Sequence, residues 1–127
     1  MADGFSSTFA NALLDVLEGT APTTYSTIYV GLHTGDPGTA GTSNVSAGSS
    51  TRQSATFGAA SAGVISLSSE PSWTNGGTSE TITDLSIWSA ATSGTFIASM
   101  TATASQAWAS GNVLQLTSLS ITIPTAS

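Results

Sequence analysis

His33 and Asp36 are the only histidine and carboxylate close together in this sequence. Such a pair could relay a proton for a serine nucleophile, and serines lie on all sides. Acyl transfer also needs a placed nucleophile and an oxyanion site, and no Gly-x-Ser-x-Gly turn occurs. The simpler reading is that His33 ends a strand while Asp36 stabilises the turn before Pro37. Glu80 and Asp84 form a second pair, on one face of a strand. Four residues of strand place them roughly 13 Å apart, a poor spacing for either glycosidase geometry.

Metal and cofactor chemistry find no better support. One histidine and no cysteine leave too few ligands for a zinc site within one chain. Asp36 could join threonines and carbonyls around calcium, but no calcium-loop motif surrounds it. Neither a P-loop nor a strand-linked Gly-x-Gly-x-x-Gly is present, so no nucleotide cofactor is expected. Asn44-Val45-Ser46 is formally a glycosylation sequon, a sequence that arises easily by chance in a serine-rich chain. Tyr29, Trp73 and Trp108 could stack on sugar rings if exposed. The competing reading puts the tryptophans in the core or a subunit interface, as for Trp88 at the end of an apolar strand.

The charge pattern narrows the partners. Arg52 is the single basic residue among 127, seven residues are acidic, and only 6% are charged. A typical soluble domain carries about a quarter. Ser, Thr, Asn and Gly must supply the solubility. Charged residues are depleted where protein surfaces bury one another, so this surface suits contact with copies of itself or with a larger assembly. It also leaves trypsin-like proteases one site. A lone arginine cannot bind nucleic acid, which needs clustered basic residues, and gives no hold on an anionic membrane. No run approaches the ~18 apolar residues of a membrane span. The first residues lack a basic region and carry Asp3, Asp15 and Glu18, unlike a secretory signal. Exit from a cell by lysis is consistent with that.

The elements that must position these residues are mostly strands. Residues 1–19 read as a short amphipathic helix, capped by Ser6 or Ser7 and stopped by Gly19. Phe5, Phe9, Leu13, Val16 and Leu17 fall on one face. This helix either covers a sheet or docks on a partner. From residue 25 the period is two. Ile28, Val30 and Leu32 share one face of a strand over 26–33, and Tyr29, Gly31 and His33 share the other. Gly35-Asp36-Pro37-Gly38 then turns the chain, and a long loop of small residues runs over 39–50. Strands are expected at 52–57, 64–67, 81–88 and 95–100, with a further one near Trp108 and an irregular stretch at 70–77. The clearest strand begins at Val113, with Leu119, Ile121 and Ile123 on its odd face. Seven or so short strands indicate one mainly β domain, 1–127. Its expected form is an antiparallel sandwich or barrel-like fold over 25–123 with a short N-terminal helix.

The series Tyr29-Val-Gly-Leu-His-Thr-Gly-Asp-Pro-Gly38, Ala40-Gly41-Thr42, Asn44-Val45-Ser46, Arg52-Gln53, Thr56-Phe57-Gly-Ala-Ala60 and Ile82-Thr-Asp-Leu-Ser-Ile-Trp88-Ser-Ala90 resembles a family of small tailed-bacteriophage virion proteins. Its members are labelled tail-fibre or minor tail proteins. The likeness covers roughly residues 13–96. The chain departs from the family at Ala47-Gly-Ser-Ser-Thr-Arg52, where Gly-Gly-x-Tyr-Ala-Arg is common, and at Val45, where an acid is common.

The resemblance implies a virion component, released by lysis, with no catalytic residues to carry over. Two placements are open, on the tail or as a decoration (cement) protein on the capsid. The expected partners are major capsid or tail proteins and copies of the chain itself, with a trimer as the arrangement that virion symmetry suggests. Phe5, Phe9, Leu13, His33, Asp36, Asn44 and Arg52 are the contact candidates. The alternative is a module that binds host-surface glycans through Tyr29, Trp73 or Trp108.

Overall fold

The computed structural model describes residues 3–126. Residues 1, 2 and 127, at the ends of the expected helix and domain, lie outside them. The chain opens with a two-residue strand, β1 (Gly4–Phe5), and a helix, α1 (Ser7–Asp15), extended by a 3₁₀ turn over Val16–Glu18. Ser6 is the cap. Its Oγ accepts from the backbone N of Phe9 at 3.1 Å and donates to the carbonyl of Phe96 at 2.5 Å. One serine therefore satisfies a free N–H of the first helical turn and ties the helix start to a distant strand. Phe5 lies outside the helix, contrary to the one-face reading of 1–19. Strand pairing of Gly4 and Phe5 with Ser99 and Ala98 displaces it.

The main sheet has five antiparallel strands in the order β1-β7-β6-β2-β3. Its long members are β2 (Ile28–His33), β6 (Glu80–Trp88) and β7 (Phe96–Trp108), with β3 (Gln53–Ala55) at the edge. The register pairs Tyr29 with Trp88, Gly31 with Ser86 and His33 with Asp84. The neighbouring pairs are Val30 with Ile87 and Leu32 with Leu85. Side chains alternate across a sheet, so the two faces differ in chemistry. One gathers His33, Asp84, Ser86 and Trp88. The other gathers Val30, Leu32, Leu85 and Ile87, which belong to the main apolar cluster with Trp73, Trp108 and Leu119. The alternation expected in the 26–33 strand is found.

Two ribbons cover the apolar face. β4 (Val64–Ser66) pairs with β9 (Ser120–Thr122), and β5 (Ser72–Thr74) pairs with β8 (Val113–Gln115). Three expectations are corrected here. The stretch 70–77 holds a strand, because Trp73 enters the core opposite Leu114. The strands expected at 95–100 and near Trp108 are one, interrupted where its register with β6 shifts between Ile82 and Asp84. The single strand expected from Val113 to Ile123 is two, in different ribbons. The backbone N of Leu116 donates to Pro71 and the carbonyl of Leu119 accepts from Leu67, so the segment changes partner between them. Val113 and Ile123 are exposed as a result.

The fold is mainly β and antiparallel, with one short N-terminal helix. No helix among the described residues is long and apolar enough to cross a membrane.

Candidate functional site

Two regions bring the candidate residues together, one beyond each face of the sheet. On the apolar side, α1 and the β4–β9 ribbon leave a groove between them. It holds a cavity of about 240 Å³, lined by Phe5, Phe9, Leu13, Tyr25, Phe57 and isoleucines that include one from each of β2, β4, β6, β7 and β9. The Phe5 and Phe9 rings meet at a tilt, 5.2 Å between centroids, and Phe9 meets Tyr25 at 6.2 Å. Phe5, Phe9 and Leu13 are thus one surface. Beside it the helix shows Leu14 at 62% exposure and Leu17 at 85%. They continue the apolar surface beyond the groove, on a helix that buries none of its residues fully.

On the polar side, a buried chain of hydrogen bonds roots the loop over 34–45. Nδ1 of His33 faces the carbonyl of Ser43 at 2.8 Å. A carbonyl only accepts, so Nδ1 carries the proton. Nε2 then accepts from the Ser86 hydroxyl at 2.7 Å, and Ser86 Oγ accepts from Trp88 Nε1 at 2.8 Å. This arrangement needs a neutral ring. Burial lowers the His33 pKa below 6.5; the Ser43 carbonyl and Asp84 push it up, and Arg52 pushes it down. Gly31 lies opposite, where an added Cβ would come within 2.9 Å of Ser86 Oγ.

Arg52 closes this region. Its guanidinium carbon lies 3.6 Å from the centroid of the Trp88 ring, a cation–π contact. Nη1 donates to the carbonyls of Ala90 and Ser93. In the loop, Asp36 Oδ1 accepts from the backbone N of Gly38, and Asn44 Nδ2 donates to the carbonyl of Asp36. Asn44 holds a positive φ of 55°. The adjoining loop is anchored by Glu80, whose carboxylate accepts from the Ser46 hydroxyl and the backbone N of Ala47 and Gly48.

Several site expectations change. His33 is 2% exposed, so its side chain holds the loop from beneath and is not a surface contact. Asp36 works in a turn, as the simpler reading has it. Arg52 is committed to the fold. Trp73 and Trp108 are 1% and 3% exposed, and their Nε1 atoms donate to the carbonyls of Thr51 and Asn112. Neither offers a ring face to a sugar, because both fill the core. Tyr29 is half-buried. Sequence reasoning missed Ser86 and the anchoring role of Glu80. The signal for Ser86 was a small polar residue between Leu85 and Ile87 in an apolar strand. No group of three or more His, Asp or Glu residues is placed to hold a metal ion among the described residues.

The chain matches, over residues 4–124, the model of the Gp80 family, described as podophage GP4 fiber I protein gp80. The chain belongs to this family. Membership makes it a phage tail-fibre-type structural protein, a component of the virion. The Gp80 match spans both regions described above and every strand of the sheet. No curated protein matches the chain.

Proposed function

We propose that this Gp80-family chain is a non-enzymatic structural subunit on the virion exterior, and that it acts by docking on another virion protein. The observation that carries this is the apolar groove of Phe5, Phe9 and Leu13, flanked by the exposed Leu14 and Leu17. The ordered loop over 34–45, with Asn44 exposed at its end, is a second contact candidate. The fibre label of the family supports placement on the tail over decoration of the capsid. Copies of the chain, as a trimer or otherwise, remain candidate neighbours in this account.

Glycan binding has less support, since two of its three aromatic candidates are buried. Replacing Leu14 and Leu17 by serine tests the docking role with little disturbance of the core. Particles assembled with the Leu14→Ser/Leu17→Ser chain should contain far less of it than wild-type particles. Equal incorporation of a folded variant would contradict docking through this surface.

A further inference from the structure

On the polar side, the structure assigns a carboxylate-binding site to Arg52, filled by an Asp or Glu side chain of a neighbouring virion protein. This rests on the docking role proposed above and names the chemistry of its second contact, beside the loop over 34–45.

Arg52 is only half used by the fold. Its Nη1 donates to the carbonyls of Ala90 and Ser93, at 3.0 and 2.8 Å. Nε and Nη2 donate to none of the described residues. Together they form one edge of the guanidinium, whose parallel N–H groups match both oxygens of a carboxylate. The Trp88 ring and the two carbonyls hold the guanidinium in place. Filling the free edge therefore costs little side-chain freedom.

The charge is unpaired as well. Arg52 is the only basic residue of a chain with formal charge −6. Four acids are engaged elsewhere: Asp3 accepts from Thr101, Asp36 from Gly38, Glu80 from the loop over 46–48, and Asp84 from Thr83. Burial lowers the Arg52 pKa, and no carboxylate of the described residues offsets that.

The space beside Arg52 decides what can carry the carboxylate. It is a cavity of about 80 Å³, lined by Gly41, Thr42, Val45, Ser50 and Trp88 as well as Arg52. Pockets for whole small molecules start at about 300 Å³, so this one takes the tip of a side chain. The hydroxyls of Thr42 and Ser50 have no partner among the described residues, and Val45, 44% exposed, adds an apolar contact. A second copy is a poor donor. Each copy carries −6, and net charge that far from zero keeps copies apart. The donor is therefore a different protein.

Two measurements on the full chain test this. NMR can follow the Nε–H signal of Arg52, unambiguous because no other arginine is present. Sodium acetate should shift it saturably, and sodium chloride at equal ionic strength should not. No shift with acetate, or the same shift with both salts, overturns the site. Quantitative mass spectrometry then compares incorporation into particles of Ser50→Glu, Ser105→Glu and Leu14→Ser/Leu17→Ser. Ser50→Glu sets the chain's own carboxylate beside Arg52 and alters none of the bonds that hold it. It should reduce incorporation about tenfold or more. Ser105→Glu adds the same charge at an exposed position outside the cavity and should change nothing. Normal incorporation of Ser50→Glu, with loss of Leu14→Ser/Leu17→Ser, overturns the acidic partner and leaves docking on the apolar surface intact. An equal loss with Ser105→Glu also overturns it, as an effect of net charge alone. Normal incorporation of all three removes the docking role itself. Two further results overturn the donor named here. Self-association of the isolated chain that Ser50→Glu abolishes would make the donor a second copy. Saturable binding of polysialic acid that Ser50→Glu abolishes would make it a sugar acid.

Discussion

The Oγ of Ser86 stands 2.7 Å from Nε2 of His33, a contact across 53 residues of chain. It joins the middle of the central strand to the root of the 34–45 loop. The hydrogen bonds on either side fix its direction: Trp88 donates to Ser86, Ser86 to His33, and His33 to Ser43. A protonated ring would turn Nε2 into a donor and leave the buried serine proton to find a new acceptor.

Stability should therefore depend on pH through His33. Burial lowers its folded-state pKa below the ordinary 6.5. The unfolded chain binds this proton more readily, so stability is complete above 6.5 and declines as pH falls through that value. Melting temperatures recorded from pH 8 to 5.5 should fall over the lower part of that range. His33→Gln should cost about 1–3 kcal/mol at pH 8 and flatten the profile. A wild-type profile as flat as that of the variant would contradict the neutral, buried ring.

Glu80 should anchor the loop over 46–49. Its carboxylate receives two backbone N–H groups and the Ser46 hydroxyl. Hydrogen bonds to a charged acceptor contribute about 1.5–3 kcal/mol. Glu80→Gln in urea denaturation should lose about that much, with proteolytic nicking of the loop as a second readout. An unchanged midpoint would mean that solvent replaces these bonds.

The chain announced some of this and concealed the rest for physical reasons. Alternation in 28–33 was legible because one face of β2 is apolar and the other polar, with no bulge to shift the phase. The helix cap at Ser6 and the stop at Gly19 were legible because local chemistry determines them. The strand from Val113 misled because its apolar residues change phase. Leu114 and Leu116 are partly buried in even register, then Leu119 and Ile121 turn inward in odd register. That shift marks the corner between two ribbons. The apolar surface shared by Phe5, Phe9 and Leu13 was legible from their spacing. The roles of His33 and Arg52 were not, because they depend on partners far along the chain, Ser86 for His33 and Trp88 and Ala90 for Arg52.

Gly41 should be less replaceable than Gly111. Both have a positive φ, 73° and 84°. An added Cβ at Gly41 would meet the Phe96 ring at 2.5 Å, whereas at Gly111 it would meet nothing within 4 Å. Gly111→Ala should cost about 1–2 kcal/mol, the strain of the left-handed backbone alone. Gly41→Ala should cost clearly more in the same denaturation experiment. Equal losses would show that Phe96 yields freely.

Tryptophan emission should ignore host-surface polysaccharide. With Trp73, Trp108 and Trp88 all buried, titration should leave wavelength and intensity unchanged. A saturable shift would revive the glycan-binding alternative.

The most direct test of the central claim is the copy number of this chain in purified particles. Quantitative mass spectrometry against the major capsid protein, with a protease other than trypsin because Arg52 is the only basic cleavage site, would supply it. A tail-fibre-type structural protein should be present at a fixed, small number of copies per particle. Near parity with the capsid protein would place it on the shell instead, and its absence from particles would contradict the account.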